Sequence, residues 1–233
     1  MERICEPELM DDPHQAQAYA EADFVETDRA FTERILALLT ACPPGRPIER
    51  ILDLGCGPGN ITFLLGEALP QTPVLGLDGA EAMLALAEER RAKAPDRWAH
   101  VHFHQAILPL AADALATLPD PFAPPYDLIV SNSLLHHLRD PAVLWQAVGQ
   151  WAAPGALVVV RDLRRPPNPE ALQTLVQCHT VGAPAVLRRD FANSLAAAFL
   201  PEEVEAQLVG AGLCSLQVKI VEDRYLEVCG QIP

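Results

Sequence analysis

Between Arg50 and Leu163, apolar runs five to eight residues long take turns with stretches of helical periodicity. Arg50–Leu54, Val74–Asp78, Val101–Gln105, Tyr126–Ser131 and Ala156–Leu163 read as strands. Helical patterns fall at Asn60–Leu69, Ala80–Lys93 and Pro141–Trp151, with a shorter one near Ala111–Leu118. Such alternation calls for right-handed crossovers and a parallel sheet with helices on both faces, because a strand buried on both sides is apolar throughout. The end of the chain breaks the pattern. Leu213–Val221 and Arg224–Cys229 are strands separated only by Glu222-Asp223, a spacing that permits nothing but an antiparallel hairpin. The expected fold class is therefore α/β: a doubly wound, seven-stranded, mostly parallel sheet closed by a C-terminal antiparallel hairpin.

Two further segments flank or interrupt this unit. Gln15–Glu26 and Thr27–Leu39 show helical spacing, with Phe31, Ile35, Leu38 and Leu39 on one face, and Cys42–Pro47 ends them. Residues 1–47 are read as a helical lead-in and lid, and 48–233 as the main domain. Within that domain, 164–212 is longer than one crossover needs. Helices are expected there at Pro169–Cys178, Asp190–Phe199 and Pro201–Gly210, forming an insertion that lines a substrate pocket. Its polar candidates are Arg161, Asp162, His179, Arg188, Arg189 and Asn193.

Asp53-Leu54-Gly55-Cys56-Gly57-Pro58-Gly59-Asn60 lies between the first strand and its helix. The glycines permit a tight turn and let a ligand approach bare backbone, and Asn60 is placed to cap the helix. The spacing is Gly-x-Gly-x-Gly, which differs from the Gly-x-Gly-x-x-Gly of a pyrophosphate loop. Asp53, two residues ahead of the first glycine, would repel a diphosphate but favour an ammonium or sulfonium. Asp78 ends the second strand, where a carboxylate can accept from both hydroxyls of a ribose.

These stretches, with Leu77–Leu84, Tyr126–Asn132, Leu134-Leu135-His136-His137-Leu138 and Pro154-Gly155, resemble the successive motifs of class I methyltransferases dependent on S-adenosylmethionine (SAM). The resemblance runs from about Ile48 to Cys229, and its broad kinship is with the ubiquinone/menaquinone-biosynthesis type. It implies a Rossmann-like fold, SAM as cofactor and S-adenosylhomocysteine (SAH) as product. Asp53 would face the methionine ammonium, and Gly55, Cys56 and Gly57, with Gly59 completing the bend, would line methionine and ribose. Asp78 would bind the ribose, and Met83 and Gly79 would pack on adenine. Where such enzymes often carry an acid after the third strand, this chain has Gln105. Its carbonyl can still accept from the adenine amino group while the Ala106 or Ile107 amide donates to the ring. Ser131, Asn132, His136 and His137 would lie near the sulfonium. His136, then His137, is the candidate base if the acceptor must lose a proton. Tyr19, with Asp23-Phe24, would reach the pocket from the lid.

The net charge of -14 disfavours a nucleic-acid partner and an anionic membrane surface. No apolar run approaches the roughly 20 residues of a bilayer span, and Met1–Asp12 is acidic and lacks a secretory signal's apolar core. The six cysteines form no Cys-x-x-Cys pair, which fits reduced thiols of the cytoplasm. His100, His102 and His104 share one strand face, at what is the sheet edge in the family, and no metal is expected. The expected protein is a cytoplasmic monomer or homodimer acting on a small-molecule acceptor by in-line methyl transfer. A SAM site turned to modified-methyl or non-methyl chemistry, and a SAM-binding protein without turnover, remain the alternatives. The spacing and the hairpin speak against a nicotinamide oxidoreductase.

Overall fold

The computed structural model describes all residues except Glu8, Asp23, 42–46 and Ala112. Seven strands form one sheet: β1 (Ile51–Leu54), β2 (Val74–Asp78), β3 (Val101–Gln105), β4 (Tyr126–Asn132), β5 (Ala152–Leu163), β6 (Gln217–Val221) and β7 (Tyr225–Gln231). Their order is β3-β2-β1-β4-β5-β7-β6. Five strands run parallel, and β7 pairs antiparallel with both β5 and β6. The doubly wound sheet with its closing hairpin is the architecture expected from the alternation. Val221 pairs with Tyr225, so the hairpin loop is Glu222-Asp223-Arg224, with Glu222 in the left-handed region at φ 54°.

Helices cover both faces. On one, α2 (Val25–Ala41), α3 (Asn60–Ala68) and α4 (Glu81–Ala92) bury Phe31, Ile35, Phe63, Leu65 and Ala87 against β1 to β5, together with Trp98 and Phe103. On the other, α5 (Ala142–Trp151) and α8 (Pro201–Gly210) bury Trp145, Val148, Trp151, Val204 and Leu208 against Leu52, Leu75, Ile129 and Val158. The central strand β1 is buried at every position, Asp53 included. That is the burial pattern of a strand covered on both faces, and it makes the one carboxylate inside it conspicuous.

Four local readings change. The lead-in is two helices, α1 (Pro13–Glu21) and α2, with Ala22 and Phe24 in the break; Asp23 and Cys42 lie outside the described residues. Asp12 caps α1 by accepting from the Gln15 amide, and Pro13 at the first helical position fixes its start. Ala111–Leu118 forms no helix among its described residues, only successive turns that set Leu115 into the core. The segment is framed by Pro109 and Pro119, and its few large apolar residues make no helical stripe to anchor. In the insertion, α6 (Pro169–His179) starts where expected, but α7 spans Ala185–Ala197, five residues ahead of the expected start. Strand β5 likewise begins at Ala152, because the chain passes directly from α5 into the sheet. No helix among the described residues is long and apolar enough to cross a membrane.

Candidate active site

The carboxyl ends of β1, β2 and β4 open into one cavity of about 1110 Å³. It lies at the point where strand order reverses, β1 having β2 on one side and β4 on the other. The glycine bend forms its floor. Gly55, Gly57 and Gly59 all have positive φ, at 71°, 53° and 81°. The Gly55 and Cys56 amides both donate to the Leu77 carbonyl, at 2.8 and 3.1 Å, which ties the bend to β2. A Cβ on Gly57 would meet no atom within 4 Å and would stand in the open cavity, whereas one on Gly55 would strike Leu134 at 2.8 Å. The first two glycines thus serve different ends: one clears room for a ligand, the other lets the loop after β4 pack close.

Asp78 holds the bend from the next strand. Its two carboxylate oxygens accept from the Gly57 and Ala80 amides, each at 2.8 Å. Each oxygen keeps a lone pair toward the cavity it lines. Burial raises its pKa, an effect opposed by these backbone bonds. Asp53 sits deeper and is 1% exposed, with one oxygen accepting from the Thr62 hydroxyl at 2.6 Å. Burial, opposed by the Thr62 bond and reinforced by the neighbouring Asp78, pushes its carboxyl up to about 7. Asp28 on α2, also buried, adds a third carboxylate to the same wall. Its Oδ2 accepts from the Asn60 side chain. Asn60 therefore bridges to α2 and does not cap α3, whose N-cap is Gly59. Two buried carboxylates and the half-buried Asp78 around open space, with a glycine leaving that space clear, make a setting that a cationic nucleoside fits and a phosphate does not.

The expected residues divide by position. Asp53, Gly55, Cys56, Gly57, Asp78, Gly79, Met83, Ala106, Asn132, His136, His137 and Tyr19 line the cavity. Ser131, Gly59 and Gln105 are not on its wall. The Ser131 hydroxyl, fully buried, donates to the Leu54 carbonyl. Gly59 faces Phe103 and Phe63. Gln105 is exposed, its amide donating to the Gly79 carbonyl at 3.3 Å, which braces the turn beside the site. Met83 is buried among Ala16, Ala80, Met10 and Tyr19 as well as facing the cavity. Tyr19 stacks on Phe24 at 4.9 Å. Of the insertion candidates, Arg161 and His179 reach the wall and Arg188, Arg189 and Asn193 do not. Arg161 is held by Asn132 Oδ1, the Thr27 carbonyl and Asp28.

At the far side of the cavity, His136 follows β4 in a single 3-10 turn, Leu135–His137. Its Nδ1 lies 2.6 Å from Asp162 Oδ1. Asp162 is 1% exposed and also accepts from the Leu135 and Leu163 amides. Asp162 is therefore placed as the acceptor of Nδ1–H, which leaves Nε2 facing away. Burial opposes charge on His136, but Asp162 and then Glu6 outweigh it and raise its pKa. His137 goes the other way, down to about 3, through burial and the neighbouring His136. The rings stack with centroids 4.2 Å apart.

The N-terminal segment completes the enclosure. Leu9 and Met10 line the cavity, and Asp11 accepts from the Ala82 amide at the start of α4. Arg3 donates to the carbonyls of His136, Leu138 and Ala197. Glu6, Asp28 and the pairing of Asp162 with His136 could not be read from the sequence. Each is brought to the cavity or to the histidines on its wall by docking between distant segments, and none has a local signature.

A family defined as a methyltransferase domain matches residues 52–158. A trans-aconitate 2-methyltransferase of Methylobacterium nodulans is 34% identical over 188 residues, 78% of this chain and 63% of that protein. An uncharacterized methyltransferase of Mycobacterium tuberculosis is 32% identical over 124 residues, 53% of this chain and 55% of that protein. The chain thus spans less than two thirds of the length of these curated relatives. Among solved structures, a SAM-dependent methyltransferase from Aquifex aeolicus superposes with a TM-score of 0.65 at 18% identity, covering 95% of this chain and 99% of that one. The plantazolicin methyltransferase BamL, in complex with a substrate analog and SAH, gives 0.70 at 12% identity over 94% and 91% of the two chains. Residues 52–158 thus match a methyltransferase domain, and the chain shares the fold of SAM-dependent methyltransferases of known structure.

Proposed function

We propose that this chain transfers the methyl group of SAM to a small-molecule acceptor. The observation that carries the reading is the pair Asp53 and Asp78 flanking a glycine bend whose central glycine opens on empty cavity. In this reading Asp78 accepts from the ribose hydroxyls, and Asp53 faces the methionine ammonium. Met83, Ala106 and Gly79 flank the adenine. Gln105 supports the Gly79 turn, and Ser131 and Gly59 shape the bend from behind. Asn132, Tyr19, His136 and His137 stand on the acceptor side. SAM brings an activated methyl on a sulfonium, so the protein's work is to align the acceptor and exclude water.

The N-terminal segment, α1 and α7 narrow the space on the acceptor side, which suits a small acceptor. Residues 1–47 act as the lid, and the 164–212 insertion lines the acceptor side of the 48–233 domain. His136, oriented by Asp162, is the group that meets the acceptor's nucleophilic atom. An acidic chain of this kind would work in the cytoplasm as a monomer or homodimer, with no nucleic acid as partner. The names of its relatives place carboxylic acids in the panel of acceptors to try.

The test has two steps. Calorimetry with SAM, SAH and NAD should give binding of the first two alone. Incubation with SAM and a panel of carboxylic acids, phenols and amines should then yield SAH in step with a product heavier by one methyl group. Binding of NAD in preference to SAH would reject the reading.

A further inference from the structure

Beyond the cofactor half of the cavity, three ligating side chains converge. Glu6 Oε1 lies 3.4 Å from His136 Nε2 and 3.3 Å from His137 Nδ1. All three ligating atoms lie within 4.8 Å of one another. Tetrahedral coordination at the roughly 2.0–2.1 Å usual for zinc with nitrogen or carboxylate oxygen sets neighbouring ligand atoms about 3.3–3.4 Å apart. The two measured spacings fall on that value. They are long for hydrogen bonds, and His137 Nδ1 is a buried atom with no hydrogen-bond partner among the described residues.

The surroundings are those of a ligand set. Asp162 takes the Nδ1 proton of His136 at 2.6 Å, which fixes the tautomer and turns Nε2 toward Glu6. This carboxylate–histidine pairing is what orients metal-binding imidazoles. The side chains of His136 and Glu6 are 3% and 10% exposed. Glu6 is steadied by the Ser194 hydroxyl at 3.1 Å. Its segment is pinned by Arg3 on the carbonyls of His136 and Leu138, and by the Ile4 amide on the Ala196 carbonyl. The Arg3 guanidinium is held by these carbonyls and by the Cys5 sulfur at 3.4 Å.

We propose that Glu6, His136 and His137 bind a divalent first-row transition ion of the zinc class. Two imidazoles and one carboxylate suit such an ion better than magnesium or calcium, which prefer all-oxygen sets. Both histidines line the cavity, so the coordination position that the protein leaves open faces the acceptor. An ion there would bind an acceptor oxygen and lower its pKa, and His136 would then hold the ion instead of meeting the acceptor directly. This revises the expectation that the chain holds no metal, and it rests on the SAM reading only for what the open position faces.

Cobalt(II) tests it, because tetrahedral cobalt absorbs strongly in the visible. The full chain, stripped with chelator, should take up one equivalent with such a spectrum, and zinc should displace it. Glu6→Gln and His137→Ala should each weaken binding at least tenfold. Asp162→Asn should weaken it about 10–100-fold, as second-layer partners of metal ligands do. His102→Ala, on the edge strand, should leave it unchanged. Calorimetry with SAH on every variant reports folding and the cofactor site independently of the metal. Absent cobalt bands in a chain that binds SAH would overturn the metal site alone. So would binding that survives both Glu6→Gln and His137→Ala, or that His102→Ala abolishes. A chain that takes cobalt but ignores SAH would instead remove the SAM reading.

Discussion

Asp53 is the residue whose chemistry is most exposed to test. Its folded pKa of about 7 lies above the ordinary 3.8, so the free protein holds a proton there through mildly acidic pH. The stability this group contributes is present below about pH 4 and lost as pH rises through 7. A cofactor ammonium has the opposite preference, because it pairs only with the ionised carboxylate. SAM affinity should therefore fall by up to tenfold per pH unit below 7, with proton uptake by the buffer on binding. Calorimetry in buffers of different ionisation enthalpy measures both, and Asp53→Asn should flatten the profile. An affinity in the unmutated chain that ignores pH between about 5 and 8 would dissolve the ion pair. Asp78→Ala makes a separate claim. Losing the ribose bonds should weaken SAH binding by about 1–3 kcal/mol, read by the same titration. Both carboxylates were legible in the sequence because Asp78 ends its strand and Asp53 stands one residue before the end of its own, beside the glycine bend. Gln105 was legible as a position but not as a contact: it closes the third strand as expected, yet its amide turns to the Gly79 carbonyl and away from the cavity.

At the scale of elements, the bend between β1 and α3 separates folding from binding. Gly55 and Gly57 share a left-handed backbone, so alanine at either position is strained. They differ in what the new methyl meets. At Gly55 it collides with Leu134, whose side chain belongs to the packed loop after β4. Gly55→Ala should cost about 1–3 kcal/mol of stability, seen in denaturant unfolding. Gly57→Ala meets no atom within 4 Å; it should unfold nearer to the unmutated chain yet lose most of its SAH affinity. Equal losses of affinity at the two positions, once stability is allowed for, would deny Gly57 its role as ligand clearance. The strands and most helices could be foretold because period and apolar runs are local properties. Ala111–Leu118 misled because alanine favours a helix on propensity alone, whereas Leu115 is set in the core by turns between prolines. The N-terminal segment, with Arg3 and Glu6, carries no period of any kind. Its place over the cavity is settled by bonds to carbonyls well over a hundred residues away.

The whole molecule brings these pieces into one equilibrium. The cavity joins groups from the N-terminal segment, α1, α2, the ends of β1, β2 and β4, and the insertion through α7. Cofactor binding should consequently stabilise the entire chain and not one lobe of it. The carboxylates of Asp28, Asp53 and Asp78 crowd one wall, and a chain of net charge -14 offers little relief from elsewhere. A cationic ligand removes that repulsion in the folded state alone. With SAM at a hundredfold its dissociation constant, linkage gives about 2.7 kcal/mol of stabilisation. For a chain of this length that is roughly 5–10 °C in Tm. At a fixed SAM concentration the shift should be larger at pH 8 than at pH 6, because the Asp53 proton must leave before the ion pair forms. SAH keeps the ammonium but has no sulfonium charge, so at equal saturation and fixed pH the two ligands should stabilise alike. Thermal scans with each, across pH, measure this. If SAM raised Tm while amide exchange slowed only in β1 to β4 and left residues 1–41 unprotected, the N-terminal segment would not be a lid over the cofactor. Protection reaching α1 together with the bend would tie the enclosure to cofactor binding.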